Sequence, residues 1–385
     1  MIPFNKNFWY AISLLIGTII GAGMFGLPYA MEKSGFFLGA LLLFLGGCLT
    51  LYLHLLYGEI VLRTPGKRRY IGFIKKYFSR KVQIFATIMS VFGHIGTLLA
   101  YLVIGGVFLQ SIFHFWLGGS VEIYTLFFFA LVAPGVIFGV KFLGKINLIL
   151  VGLLLLMIVI LGFWGLPYIQ ADNLAKVSLA DFFFPYGAVL FSLSGGCAVP
   201  EIVEVLKRKP FKIKRAIVIG TLVPLFAFFF FALLVIGIAG PAVTKDAISA
   251  LELFLGKWVV IFGAFLGLLA VMTSFFPIGS NFKKILWYDY KINQHLATFI
   301  TLIVPLCLFL AGARDFIEII SLMGVFIVGI EGVLMIKLFY AARRKGKKRA
   351  SYRLPFSRWM PYVLSGVLIL GVVLELYFQV SEQFF

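Results

Sequence analysis

Two stretches of this sequence carry groups that an apolar helix would ordinarily hide: GTIIGAGMFGLPYA at 17–30 and FSLSGGCAVPEIVEVLKRKP at 191–210. Glycine and proline withdraw helix propensity in each of them, so the backbone is expected to break there. A broken helix leaves N–H groups free where its second half starts and carbonyls free where its first half ends. In the first stretch the N–H groups of Ala22, Gly23 and Met24 would favour an anion, and Gly21 would let it approach the backbone closely. In the second, the carbonyls of Phe191, Ser192 and Ser194 would suit an ammonium group. Together they can hold a zwitterion in a dry site, where an uncompensated charge is costly. The plainer alternative for Gly17-x-x-x-Gly21 is a close helix contact of the small-xxx-small kind.

Ionisable residues inside apolar surroundings are the second source of chemistry, because they are expensive there and default to a function. Glu331 lies between Gly329 and Gly332, Glu201 lies about a turn beyond the second break, and His94 and Lys145 sit in or beside apolar runs. These four are candidates for carrying a coupling proton. The plainer readings pair Glu201 and Glu204 with the Lys207–Lys209 cluster and let Lys145 snorkel to the surface. The histidines, at 54, 94, 114 and 295, lack metal-ligand spacing, and there is no HExxH, Walker A or paired-Asp motif. A membrane-embedded enzyme is therefore not expected, nor is a cofactor. Cys48, Cys197 and Cys307 all fall in apolar stretches and imply no disulfide framework.

The elements that position these groups follow from composition. The 385 residues are 62% hydrophobic and 13% charged, so most of the chain is solvated by lipid. A membrane span needs roughly 20 apolar residues. Eleven such stretches run at about 8–30, 36–62, 82–116, 121–141, 146–167, 182–205, 216–239, 257–279, 295–312, 317–341 and 358–379. Of the 34 Lys and Arg residues, 29 fall on one set of alternate loops and 5 on the other. The positive-inside rule then puts the N-terminus in the cytoplasm and, with an odd number of spans, the C-terminus outside a plasma (inner) membrane. The net charge of +19 is thereby accounted for by topology and anionic lipid, not by a nucleic-acid partner. The basic loop at 63–81 sets Ile71, Ile74, Tyr77 and Phe78 at helical spacing, as an interfacial helix or a solvated loop.

Residues 1–341 are expected to form a ten-span core, with repeats at about 8–167 and 182–341. Residues 342–385 add a basic cytoplasmic loop and an eleventh span. Each five-span half opens on a broken span, and since five is odd the halves enter the membrane from opposite sides. That is the pattern of an inverted repeat whose paired broken helices mark a substrate site.

At these residues the sequence resembles a known group. GTIIGAGMFGLPYA is similar to the first-span signature of the amino acid/auxin permease and hydroxy/aromatic amino acid permease families, within the amino acid, polyamine and organocation superfamily. VPEIVEVLKRKPFKIKRAI, at 199–217, is similar to that superfamily's stretch after the sixth-span break. The resemblance implies an all-α membrane protein with the LeuT-type five-plus-five fold, carrying amino acids, with substrate contacts at the two breaks. Where relatives often close the pocket with an aromatic ring this chain has Cys197, implying a roomier pocket for a neutral side chain that Phe191 and Tyr101 could line. Ala270, Thr273 and Ser274 resemble the sodium site of many such transporters, joined by the carbonyls of Gly17 and Ile20. The alternative for the hydroxyls is bonding back to their own helix. The hydroxy/aromatic branch is largely proton-coupled, which keeps the proton open as the coupling ion. The expectation is a secondary active transporter of neutral or aromatic amino acids, coupled to sodium or, alternatively, to protons. A channel or receptor-like amino acid sensor is the rival of another class.

Overall fold

In a bilayer core every backbone polar group must be satisfied within its own segment, so apolar spans fold as helices. The computed structural model describes residues 6–66, 68–138, 143–346 and 359–384, with side chains of 143–147, 376 and 378–384 excluded, and is all-helical among them. The first expected span is the pair α1 (Lys6–Ile19) and α2 (Gly23–Ser34), bent by 50° at the glycines. Gly35, at φ +91°, turns the chain into α3 (Phe36–Arg63). The short α4 (Tyr70–Tyr77) leads to α5 (Arg80–Leu117), α6 (Val121–Phe138), α7 (Leu143–Gly165) and a one-turn α8 (Ala171–Leu174).

The sixth span is likewise interrupted, as α9 (Tyr186–Ser192) and α10 (Val199–Val205). Pro200 sits in the first turn of α10, where a missing N–H costs nothing. Then follow α11 (Pro210–Ala239), a one-turn α12 (Glu252–Leu255), α13 (Lys257–Lys284) and α14 (Gln294–Leu310). The tenth span comprises α15 (Phe316–Gly324), a π-helical stretch Val325–Ile330 and α16 (Glu331–Lys345), and α17 (Met360–Phe384) comes last. Among the described residues eight helices are long and apolar enough to cross a membrane, nine with the bent pair. Two shorter apolar helices, Gln294–Leu310 and Met360–Glu375, fall on the ninth and eleventh expected stretches.

The helix in the basic loop forms, and its apolar face is covered by protein. Ile71, Phe73 and Ile74 are fully buried, because α4 packs against α5, α16 and the turn after α13. The Gly72 N–H donates to Asp289 Oδ2 at 3.1 Å. Burial lowers the Lys75 ammonium below its ordinary pKa, and the nearby Asp289 carboxylate only partly offsets this. The eleventh helix is likewise integrated: α17 packs on the tenth span and on α9, with Leu368 fully buried over Gly332.

Candidate functional site

The first break is held by α13. The Ser274 hydroxyl reaches across to α1, donating to the Gly17 carbonyl at 2.8 Å, with the Ile20 carbonyl at 3.2 Å sharing the proton. Thr273 instead donates back to the Ala270 carbonyl at 2.8 Å. Of the two hydroxyls only Ser274 therefore leaves its own helix, and Ala270, Thr273 and Ser274 are all buried. Tyr101, from α5, brings its hydroxyl to Ser274 and sets its ring edge-on to Phe191 at 6.2 Å.

Backbone groups at the breaks differ by one residue from the sequence expectation. The Met24 N–H closes a turn on the Gly21 carbonyl at 3.3 Å, so the N–H groups without a backbone acceptor, among the described residues, are those of Gly21, Ala22 and Gly23. At the second break the Ser194 N–H donates to the Phe191 carbonyl at 3.0 Å, leaving the carbonyls of Ser192 and Ser194. The breaks touch directly: a Cβ at Gly23 would lie 2.5 Å from Ser192 Oγ. That hydroxyl is itself spent on the Ala188 carbonyl. Ala22 and Met24 are fully buried.

A cavity of about 110 Å³ lies on the basic-loop side of this contact. Ser194 and Cys197 of the second break line it, together with His54, His94, Asn281 and Glu331. No described residue of α1 or α2 does so. Close packing between the breaks puts the open space a turn away.

The proton candidates separate by their surroundings. His94 Nδ1 donates to the Ser90 carbonyl at 2.7 Å, and Nε2 accepts from the Asn281 amide at 2.9 Å, which satisfies both nitrogens of a neutral ring. Glu201 accepts from Lys284 at 2.8 Å and from Arg69 at 3.3 Å, while Glu204 meets Arg69 at 3.4 Å. The expected pairing with Lys207–Lys209 is thus replaced by partners from distant segments, because Lys207 and Arg208 turn the chain away at φ 50° and 59°. Glu331 lines the cavity with a buried Oε1 that has no hydrogen-bond partner. Lys145 belongs to α7, but its side chain lies outside the described residues.

Sequence reasoning missed several polar residues. His54 donates to or accepts from Thr221 at 3.1 Å through Nδ1 and faces the cavity, and Asn281 completes the His94 pair. Both are polar residues inside apolar spans, the signal that had marked Glu331. Glu59 is fully buried between Arg63, at 2.7 Å, and Arg343, at 2.9 Å. Its i,i+4 spacing to Arg63 could have found the first of these pairs. On the opposite face Lys245 pairs with Asp315, the N-cap of α15. Burial would raise the Asp315 carboxyl, but the Lys245 ammonium and the capping amides hold it below its usual value.

The Arg69–Glu201–Lys284 cluster sits just beyond the cavity. Arg69 precedes Tyr70, Glu201 is one turn past Cys197 and Lys284 is a turn past Asn281, all three neighbours being cavity-lining. Arg69→Ala, in a chain whose exposed Cys48 and Cys307 are serine, should raise the rate at which an impermeant thiol reagent labels Cys197. The expected rise is about tenfold, the equivalent of one charge-assisted bond. An unchanged rate would show that the cluster does not close the cavity.

Residues 4–377 match the Tryptophan/tyrosine permease family. Among its relatives, the Tyrosine-specific transport system 2 of Haemophilus influenzae is 26% identical over 410 residues, covering 97% of this chain and 96% of that protein. Glutamine transporter 2 of Aliivibrio fischeri is 22% identical over 354 residues, covering 89% and 90%. Two solved structures share the fold. MHP1, a nucleobase-cation-symport-1 family transporter in a closed conformation with bromovinylhydantoin bound, superposes with a TM-score of 0.68 at 14% identity, covering 96% of this chain and 91% of that one. MhsT in complex with L-phenylalanine gives 0.63 at 16% identity, covering 96% and 97%. The architecture is the LeuT-type fold.

Proposed function

The chain belongs to the tryptophan/tyrosine permease family, and from that premise we propose that it carries neutral or aromatic amino acids across the plasma membrane by alternating access, coupled to sodium. It is a multi-pass membrane transporter and not an enzyme. The observation that carries the proposal is the Ser274 hydroxyl bridging the Gly17 and Ile20 carbonyls, since it joins the broken first span to the eighth. The relatives named for tyrosine and glutamine transport support an amino acid as cargo. Ten core spans with repeats at about 8–167 and 182–341, an inside N-terminus and an outside C-terminus complete the reading, with the basic face in the cytoplasm.

The substrate's carboxylate would meet the free N–H groups of Gly21, Ala22 and Gly23, next to Met24, and its ammonium the carbonyls of Ser192 and Ser194. Phe191, Tyr101 and Cys197 border its side chain. Sodium would be held by the carbonyls of Gly17, Ile20 and Ala270 and the hydroxyls of Thr273 and Ser274. All five are neutral oxygens, a donor set that can replace the hydration shell of a hard monovalent cation.

Proteoliposome uptake of labelled amino acids tests the proposal. Ser274→Ala should raise the sodium concentration for half-maximal uptake about tenfold, the expected cost of one ligand. An unchanged requirement would remove the sodium site. The unpartnered Glu331 Oε1 favours a second reading, proton coupling, and uptake that ignores sodium but collapses with an uncoupler would select it. Absence of uphill accumulation under either gradient would leave the channel or sensor reading.

A further inference from the structure

Resting on the transport reading, we propose that the cavity on the basic side of the breaks is a second, adjoining holding site for the amino acid's ammonium group, with the Glu331 carboxylate as its counter-charge. Three observations place it there. The first is an acceptor short of donors: Glu331 Oε1 is buried with no partner at ordinary hydrogen-bond distance, and the Ser90 hydroxyl is the neighbouring protein group that can turn toward it. A buried carboxylate oxygen is costly in that condition unless a ligand completes it.

The second is the local backbone. Residues Val325–Ile330 are wound as a π-helix that ends at Glu331. Such bulges in α-helices recur at functional sites because they turn a side chain out of the regular register. The third is the state of the surrounding cations. Arg69 and Lys284 are engaged by Glu201 and Glu204, and Arg63 and Arg343 by Glu59. None of these ion pairs includes Glu331, which leaves its carboxyl open to a cationic ligand.

Polar groups of the same cavity suit the remainder of an amine-bearing molecule. Ser194 belongs to the second break, where free carbonyls face an ammonium, and His54, tied to Thr221 through Nδ1, presents its other ring nitrogen toward Gly196. Because α1 and α2 contribute nothing to this lining, a ligand here does not use the N–H groups of the first break. The holding site recognises an ammonium and does not require a carboxylate.

Tyramine, which keeps the ammonium of tyrosine and lacks its carboxylate, is the probe. Purified full-length chain carrying Cys48→Ser and Cys307→Ser leaves Cys197, in the cavity wall, as the reporter thiol. Tyramine should slow alkylation of Cys197, and the desamino analogue of tyrosine should not. Glu331→Gln should weaken tyramine binding by about tenfold or more and be partly rescued by Glu331→Asp.

Tyramine binding unaffected by Glu331→Gln would overturn the proposal and return Glu331 to a proton role. Failure of saturating tyramine to protect Cys197 would overturn it even if the Gln variant does not fold. If the chain binds no amino acid at all, the transport reading fails and this inference falls with it.

Discussion

Gly21→Val will reduce amino acid accumulation in proteoliposomes by on the order of a hundredfold, the loss that a misplacement of about 1 Å in a positioned site can cause. A Cβ at Gly21 would lie 2.5 Å from Ser274 Oγ, 2.9 Å from Ser274 Cβ and 3.0 Å from the Tyr101 hydroxyl. Two of these are closer than real Cβ atoms approach, so something must shift. Ser274 can yield only by giving up the Gly17 carbonyl, and Tyr101 only by moving off Phe191. The first shift separates the first break from the eighth span, and the second separates the third span from the second break. The backbone of the break cannot retreat far, since Ile20 and Ala22 on either side are fully buried. Gly21→Ala should show the same defect in milder form, because the methyl lacks the branches that reach further. Melting temperatures measured alongside uptake separate misplacement from unfolding. Uptake by the valine variant within twofold of wild type, at equal reconstitution, would mean that Gly21 serves only helix packing.

Glu59→Ala will be the most destabilising single substitution among the charged residues of the basic face, at about 3–5 kcal/mol, the cost of breaking a buried pair from one side. Glu59 is wholly inaccessible, and its carboxylate holds Arg63 within its own helix and Arg343 at the end of α16. Removing it strands the Arg63 guanidinium, itself 8% exposed, without its counter-charge. Arg343→Ala should cost far less, because the Arg343 side chain is 27% exposed and Glu59 would keep Arg63. Thermal unfolding of the purified variants reads the order directly. Equal melting temperatures for Glu59→Ala and Arg343→Ala would show that burial of the carboxylate contributes little. The same carboxylate joins the second span to the tenth, so Glu59→Ala is also expected to loosen the attachment of α16.

Much of the architecture is legible in local composition. The helix breaks follow from Gly21, Gly23 and Gly195–Gly196, since no neighbour can restore helix propensity to a segment this rich in glycine. The spans follow from apolar length, and the helix at 70–77 from apolar spacing among basic residues. What such patterns lack is direction. Ile71 and Ile74 at helical spacing signal a buried face but not whether lipid or protein covers it, and α5 and α16 decided for protein. Glu201 is compatible with any nearby cation, and sequence proximity favours Lys207–Lys209. The partners it takes, Arg69 and Lys284, are 132 and 83 residues away and are brought to it only by the assembled bundle.

The amino-acid sequence by itself determined the all-helical membrane fold, the two interrupted spans and the family resemblance. Tertiary structure alone decided which of two adjacent hydroxyls crosses to the first span. Successive residues on a helix point about 100° apart, and the packing of α13 gives the bond to α1 to Ser274 while Thr273 bonds within its own helix. It also decided where the open space lies. Glycines allow close approach, and here the breaks use that allowance on each other, at Gly23 and Ser192, so that the cavity opens a turn away beside Glu331. A buried acid in an apolar span is visible in sequence, but whether its oxygen has a partner depends on every helix packed around it.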